Sequence, residues 1–261
     1  MSKIAEAFKN SKNGKCFIPF ITAGDPDADT TVNCILEMVK QGADIIEIGI
    51  PFSDPIAEGV VIQEADLRAL SGGMTMAGVF EVVTRVRKET DIPLCLMTYL
   101  NPVFHYGYDA FCKKCKETGV NGLIIPDMPF EEKGEILEAA HSNGVEVVSL
   151  IAPTSEQRIR EIAKDAEGFI YVVSSMGVTG VRSEITTDVG AIVKEIKAVT
   201  DVPVAIGFGI STPEQAAKMA GISDGAIVGS AIVRIVAKEG SNAVASVGEY
   251  VKGMASAVHS I

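Results

Sequence analysis

The chain has 261 residues, 47% hydrophobic and 22% charged, and its 34 Asp and Glu against 23 Lys and Arg give a net charge of −11. This is the composition of a folded globular chain, which excludes a disordered or collagen-like one, and without a basic stretch interleaved with aromatics no nucleic-acid surface is expected. The start, Met1-Ser2-Lys3-Ile4-Ala5-Glu6, lacks the apolar core of a secretory signal, no apolar run suits a membrane span, and the five cysteines are scattered, so a soluble cytoplasmic protein with reduced thiols is expected.

Apolar runs of strand length, rich in Ile and Val, alternate with segments of helical period. An extra helix is expected ahead of the first run, 16–21. Val32, Ile35, Leu36 and Val39 then repeat at helical spacing before the second run, 44–50. The third run is 93–98, followed by a polar helix over 109–118 that carries Cys112 and Cys115. Runs at 122–125, 146–150 and 169–173 follow, then a helix with Val189, Ile192, Val193 and Ile196 on one face. The seventh run is 204–207; after it Ser211 and Glu214 have capping-box spacing and Pro213 marks a helix start. The eighth is 225–228.

Eight β-then-α units in about 250 residues predict a (β/α)8 TIM barrel, an α/β fold, with the whole chain 1–261 as one domain. A doubly wound open sheet is the alternative. In a barrel, chemistry belongs at the C-terminal ends of the strands. Gly207-Phe208-Gly209 follows the seventh run, and Gly229-Ser230-Ala231 follows the eighth and opens a helix. Two glycine-rich turns at these two strands point to phosphate held by main-chain N–H groups; the competing reading is tight βα turns alone.

In the second run Ile46, Ile48 and Ile50 share one face and Glu47 lies on the other. If the isoleucines face the helices, Glu47 points into the barrel, where burial raises its pKa toward that of a general acid/base at neutral pH. A structural glutamate hydrogen-bonded in the barrel mouth is the alternative. Asp54 and Glu58 in the next loop are further carboxylates, for which turn chemistry or helix N-terminal charge is the simpler account. The long small-residue loop after the sixth run, from Ser174 to Ser183, suggests a lid; disorder is the alternative. None of the three histidines, His105, His141 and His259, lies at an expected strand end, so a His-built metal site is not expected. The same is true of Lys, which argues against a Schiff-base aldolase. Cys112-x-x-Cys115 has no second ligand pair and reads as incidental.

Glu47-Ile48-Gly49-Ile50-Pro51-Phe52-Ser53-Asp54-Pro55, continuing through Glu58-Gly59 to Ile62-Gln63, resembles the tryptophan synthase alpha subunit family. Pro19 to Pro26, Met97 to Pro102, Pro126-Asp127-Met128-Pro129, the Gly177-Val178-Thr179-Gly180 loop and the two glycine turns agree in order and spacing, so the resemblance covers essentially the whole chain. It implies retro-aldol cleavage of indole-3-glycerol phosphate to indole and glyceraldehyde 3-phosphate, in tryptophan biosynthesis. By resemblance Glu47 is the acid/base at indole C3, and Glu58 is the carboxylate that meets the indole N–H. Phe20, Tyr99, Ile124, Asp127 and Tyr171 line the indole side. Gly180, Gly209, Gly229 and Ser230 hold phosphate, and Gly177, Thr179 and Arg182 belong to the lid.

The family usually has Asp where this chain has Glu58, and some members have Arg where Ser175-Met176 stands in the lid. The extra methylene at Glu58 implies retained but slower chemistry, with Glu58→Asp preserving or raising activity unless the loop is set for Glu. The resemblance also implies an α2β2 complex with a beta subunit. That partner carries pyridoxal phosphate while this chain needs no cofactor and no metal, and Asp54, Pro55 and Asn101 lie at the contact. A non-catalytic activator of the beta chain and a stand-alone indole-releasing lyase are the other readings.

Overall fold

The computed structural model describes residues 2–173, 188–207 and 209–261. Eight parallel strands close into a barrel in sequence order. They are β1 Cys16–Thr22, β2 Ile46–Gly49, β3 Leu94–Met97, β4 Gly122–Ile124, β5 Glu146–Ile151, β6 Ile170–Val173, β7 Val204–Gly207 and β8 Gly225–Val228. Helix α1, Lys3–Asn10, precedes β1, and α2, Ala28–Lys40, follows it. Between β2 and β3 lie α3 Val60–Ser71 and α4 Met76–Arg87; between β3 and β4 lie α5 Leu100–Tyr106 and α6 Tyr108–Thr118. The rest are α7 Gly134–Ser142, α8 Glu156–Lys164, α9 Val189–Lys197, α10 Pro213–Ile222, α11 Ser230–Glu239 and α12 Val244–Val258. The fold is therefore the (β/α)8 TIM barrel with an N-terminal helix, and closure of β8 onto β1 excludes the open sheet.

Strand alternation sorts the apolar residues into two cores. Ile46, Ile48, Leu94, Leu96, Val147, Ile151, Val204 and Ile206 face outward under the helices. Ile18, Phe20, Cys95, Met97, Ile124, Val148, Tyr171 and Ile227 fill the barrel. Helix α1 closes its lower end: Ser2 caps it by accepting the Ala5 N–H, and Ile4 and Phe8, one turn apart, are buried. Phe8 meets Phe169 at 5.8 Å between ring centroids. A Cβ on Gly122 would lie 2.9 Å from both Ile4 Cδ1 and Cys95 Sγ, so β4 begins with the one residue that lets the plug approach.

This lower end is fastened by a clasp that recurs four times. An acceptor shortly before each even-numbered strand takes a main-chain N–H from the start of the preceding strand. Asp44 accepts from Phe17 at 2.7 Å, Asn121 from Leu94 at 3.0 Å, Glu167 from Val147 at 2.6 Å and Asp224 from Val204 at 2.7 Å. Each acceptor is also met by a basic side chain, respectively His259, Arg87, His141 and Lys197. Two of the three histidines thus serve the floor, far from the strand ends where chemistry is expected.

Two sequence expectations shift. The cap of α10 is Thr212 with Gln215, one residue beyond the Ser211–Glu214 pair, because Pro213 occupies the first helical turn and fixes the preceding residue as the cap. Ser211 instead donates its N–H to Gln215 at 2.8 Å. Strand β2 is shorter than the apolar run, since Asp44 is spent on the clasp. The helix over 109–118 is α6, and Cys112 and Cys115 are buried on its inner face; all five cysteines are free and buried. Among the described residues no helix is long and apolar enough to cross a membrane.

Candidate active site

Glu47 sits on β2 with its side chain inside the barrel, in register with Phe20 of β1 and Cys95 of β3. It is 1% exposed, and its Oε2 has no hydrogen-bond partner among the described residues. Burial, reinforced by the charge of nearby Glu58, pushes its carboxyl up to about 8. A carboxyl raised to that value is mostly protonated at neutral pH.

Glu58 is also buried, at the end of the loop leading into α3. The loop is held on both sides of it. The Ala57 N–H donates to the Tyr99 hydroxyl at 2.9 Å, and Gln63 Nε2 donates to the Glu58 carbonyl at 2.8 Å. The Tyr99 ring packs on Phe52 at 5.3 Å between centroids, and burial followed by the Glu58 charge raises its phenol. Tyr171 rises from β6 into the same space, and its phenol is raised well above its usual value by burial, then by Glu47 and Glu58. Phe20 and Ile124 complete the interior wall, and Phe20 lies against the turn at Gly229.

Asp127, expected on the indole side, accepts the Leu100 N–H at 2.9 Å and so steadies the start of α5. Asp54, Pro55 and Asn101 lie on the rim, with Asp54 and Asn101 exposed. On the opposite side of the mouth, Gly209 follows β7 with φ +77°, a conformation that suits glycine. Gly229 is the N-cap of α11 and Ser230 its first residue; among the described residues no side chain caps this helix, in contrast to the reciprocal box on α10. The first-turn N–H groups of α11 are thus suited to an anion. Gly177, Thr179, Gly180 and Arg182, and Phe208 beside Gly209, lie outside the described residues.

Sequence reasoning missed two buried charges here. Asp66 is 4% exposed on α3, where it accepts the Phe52 N–H; burial and Glu58 push its carboxyl up to about 8. A signal was present, since Ile62, Ala65, Asp66 and Ala69 share the buried stripe of α3 and an acid on such a stripe is unusual. Two residues on, Arg68 makes a paired contact with buried Asp25, 2.8 Å on each arm, so α3 pins the loops after both β1 and β2. The second is Lys133, at the start of the helix that precedes β5, whose amine reaches Ser149 on that strand at 3.2 Å.

Residues 7–259 match the family model described as tryptophan synthase alpha chain. The chain belongs to the tryptophan synthase alpha chain family. The alpha chain of Lacticaseibacillus casei is 55% identical over 258 residues, covering 99% of this chain and 96% of that one. A crystal structure of the alpha subunit from Legionella pneumophila superposes with a TM-score of 0.91 at 36% identity, covering 100% of both chains. The tryptophan synthase a2b2 complex from Pyrococcus furiosus gives 0.84 at 35% identity, with 92% of this chain and 97% of that one covered. The chain is thus a lyase of tryptophan biosynthesis that cleaves indole-3-glycerol phosphate, EC 4.2.1.20.

Proposed function

We propose that Glu47 and Glu58 carry out this cleavage together, within a chain that works as one domain, and that the observation carrying the reading is the buried, protonated carboxyl of Glu47 beside Glu58. Glu47 delivers its proton to indole C3, and the positive charge that develops on the ring nitrogen is stabilised by Glu58 accepting the N–H. Glu47, now a carboxylate, takes the proton of the adjacent glycerol hydroxyl. The C–C bond breaks, its electrons return to the ring, and indole and glyceraldehyde 3-phosphate result. Phe20, Tyr99, Ile124 and Tyr171 shape the indole side, with Asp127 acting through α5. Gly209, Gly229 and Ser230 hold the phosphate, joined by Gly180; Gly177, Thr179 and Arg182 serve as a lid.

The test is indole release by the purified chain from indole-3-glycerol phosphate, beside Glu47→Gln and with beta subunit added. Indole formed by wild type, lost in the variant and accelerated by the partner supports the reading; no indole under any condition overturns it. For Glu58 the expectation moves away from a merely tolerated departure. Its loop is fixed on both sides by hydrogen bonds and cannot follow a shortened side chain, so Glu58→Asp is expected to lower kcat about 10- to 100-fold, a cost typical of a ~1 Å displacement. Activity equal to wild type would show a loop free to adjust.

We further propose that a beta subunit docks on the rim formed by Asp54, Pro55 and Asn101, giving an α2β2 assembly in the cytoplasm in which the partner alone carries pyridoxal phosphate. Exposed Ile56, Val60 and Phe104 beside these residues support an apolar contact there.

A further inference from the structure

A cavity of about 550 Å³ opens between the loops after β4 and β5. One end shares Glu58 with the candidate site and is walled by Met97, Val148 and Leu150. The cavity then turns over the ends of β4 and β5 to the outer face of the barrel, where Ile125, Ile162, Ser149 and Lys133 line it. Its charged lining residues are Glu58, Arg158 and Lys133. Arg158 is engaged by both oxygens of Glu131, at 2.6 and 3.1 Å. Lys133 is 6% exposed, makes no ion pair among the described residues, and meets one neutral acceptor, Ser149 Oγ. Glu167 and Asp165 act on it electrostatically, and burial still lowers its pKa. An ammonium has three donors, and burying it without a direct ion pair is costly. An apolar channel that begins at a catalytic carboxylate and ends at such an amine suits a flat apolar ligand with an anion at its far edge.

We propose that this cavity extends the ring subsite, and that Lys133 receives the carboxylate of an indole substituted on its benzo ring, so that the chain also condenses carboxyindoles with glyceraldehyde 3-phosphate. The inference rests on the roles assigned above to Glu47 and Glu58. With C3 at Glu47 and the N–H at Glu58, the benzo edge is left to face Met97, Val148 and Leu150 and the channel behind them. The reaction is the reverse of cleavage. Ring C3 adds to the aldehyde carbon as Glu47 gives its proton to the aldehyde oxygen, and the C3 proton then passes to the Glu47 carboxylate, so no further reagent is needed.

The test is condensation of glyceraldehyde 3-phosphate with indole and with indole-4-, 5- and 6-carboxylate, in wild type and in Lys133→Met. The expected result is one carboxylate isomer whose kcat/KM falls at least about tenfold in the variant while that of indole is unchanged, as for loss of a charge-assisted contact. Methionine replaces the buried ammonium with an apolar chain of similar length, a change folds tolerate, and the indole rate reports on integrity. Lys133→Gln serves as the second variant if that rate falls. Wild type that uses indole but no carboxylate, or a carboxylate rate equal in both proteins, overturns the extension. Wild type that condenses neither overturns the catalytic reading beneath it, and the extension with it.

Discussion

Glu47→Gln is expected to reduce indole release by about 10²- to 10⁴-fold, the usual contribution of a positioned general acid/base. The amide fills the same space but cannot deliver the acid proton that the proposed mechanism sends to C3, so kcat should fall while substrate binding changes little. The pH dependence follows from the same burial. With the free-enzyme carboxyl pushed up to about 8, the acid form predominates at neutral pH, and kcat/KM should decline as pH rises past about 8. A profile flat through pH 9 would remove Glu47 as the acid.

Stability should move the opposite way. Between the ordinary value of 4.5 and about 8 the folded chain keeps a proton that the unfolded chain has released, so wild-type stability falls as pH rises across that window and the loss is complete above it. Glutamine does not titrate. Glu47→Gln should therefore gain on wild type between pH 5 and pH 8, as read from denaturant midpoints. A variant that is less active but progressively more stable is the signature of a carboxyl retained for chemistry.

Arg87→Ala is expected to give the largest loss of stability, on the order of 3 kcal/mol, with catalysis by the surviving folded protein unchanged. Its guanidinium donates to the carbonyls of Thr90, Ile92 and Gly119, at 3.0, 2.7 and 2.6 Å, and to Asn121 Oδ1 at 3.2 Å. One side chain thus joins the end of α4 to the approaches of β3 and β4, on the face opposite the site. Urea unfolding with the midpoint shifted down and m unchanged is the expected result; wild-type stability would mean water replaces these bonds without cost.

How much of this was legible in the sequence depends on the distance over which each feature is specified. The strands were legible because a buried parallel strand announces itself as a run of Ile and Val, and Glu47 because a single acid interrupts the alternation of Ile46, Ile48 and Ile50. The glycine turns after β7 and β8 were legible by position, and the family by its loops. Asp66, Lys133 and the acceptors of the floor were not. Each acts on a partner from another element, as Lys133 does on Ser149 across 16 residues and Asp44 on Phe17 across 27. Asp127 shows the same limit: the motif identified the residue, and the fold turned its carboxylate to the start of α5.

The floor clasps have a consequence for how the barrel opens. They join β1 to β2, β3 to β4, β5 to β6 and β7 to β8, whereas the intervening junctions are tied at the same level by main-chain bonds such as Ile46 N–H to the Pro93 carbonyl and Ile170 N–H to the Pro203 carbonyl. The ring is thus built from four two-strand staves with four plainer seams. Amide hydrogens of Phe17, Leu94, Val147 and Val204 should exchange late, and the first openings should run along the seams, each stave moving as a unit.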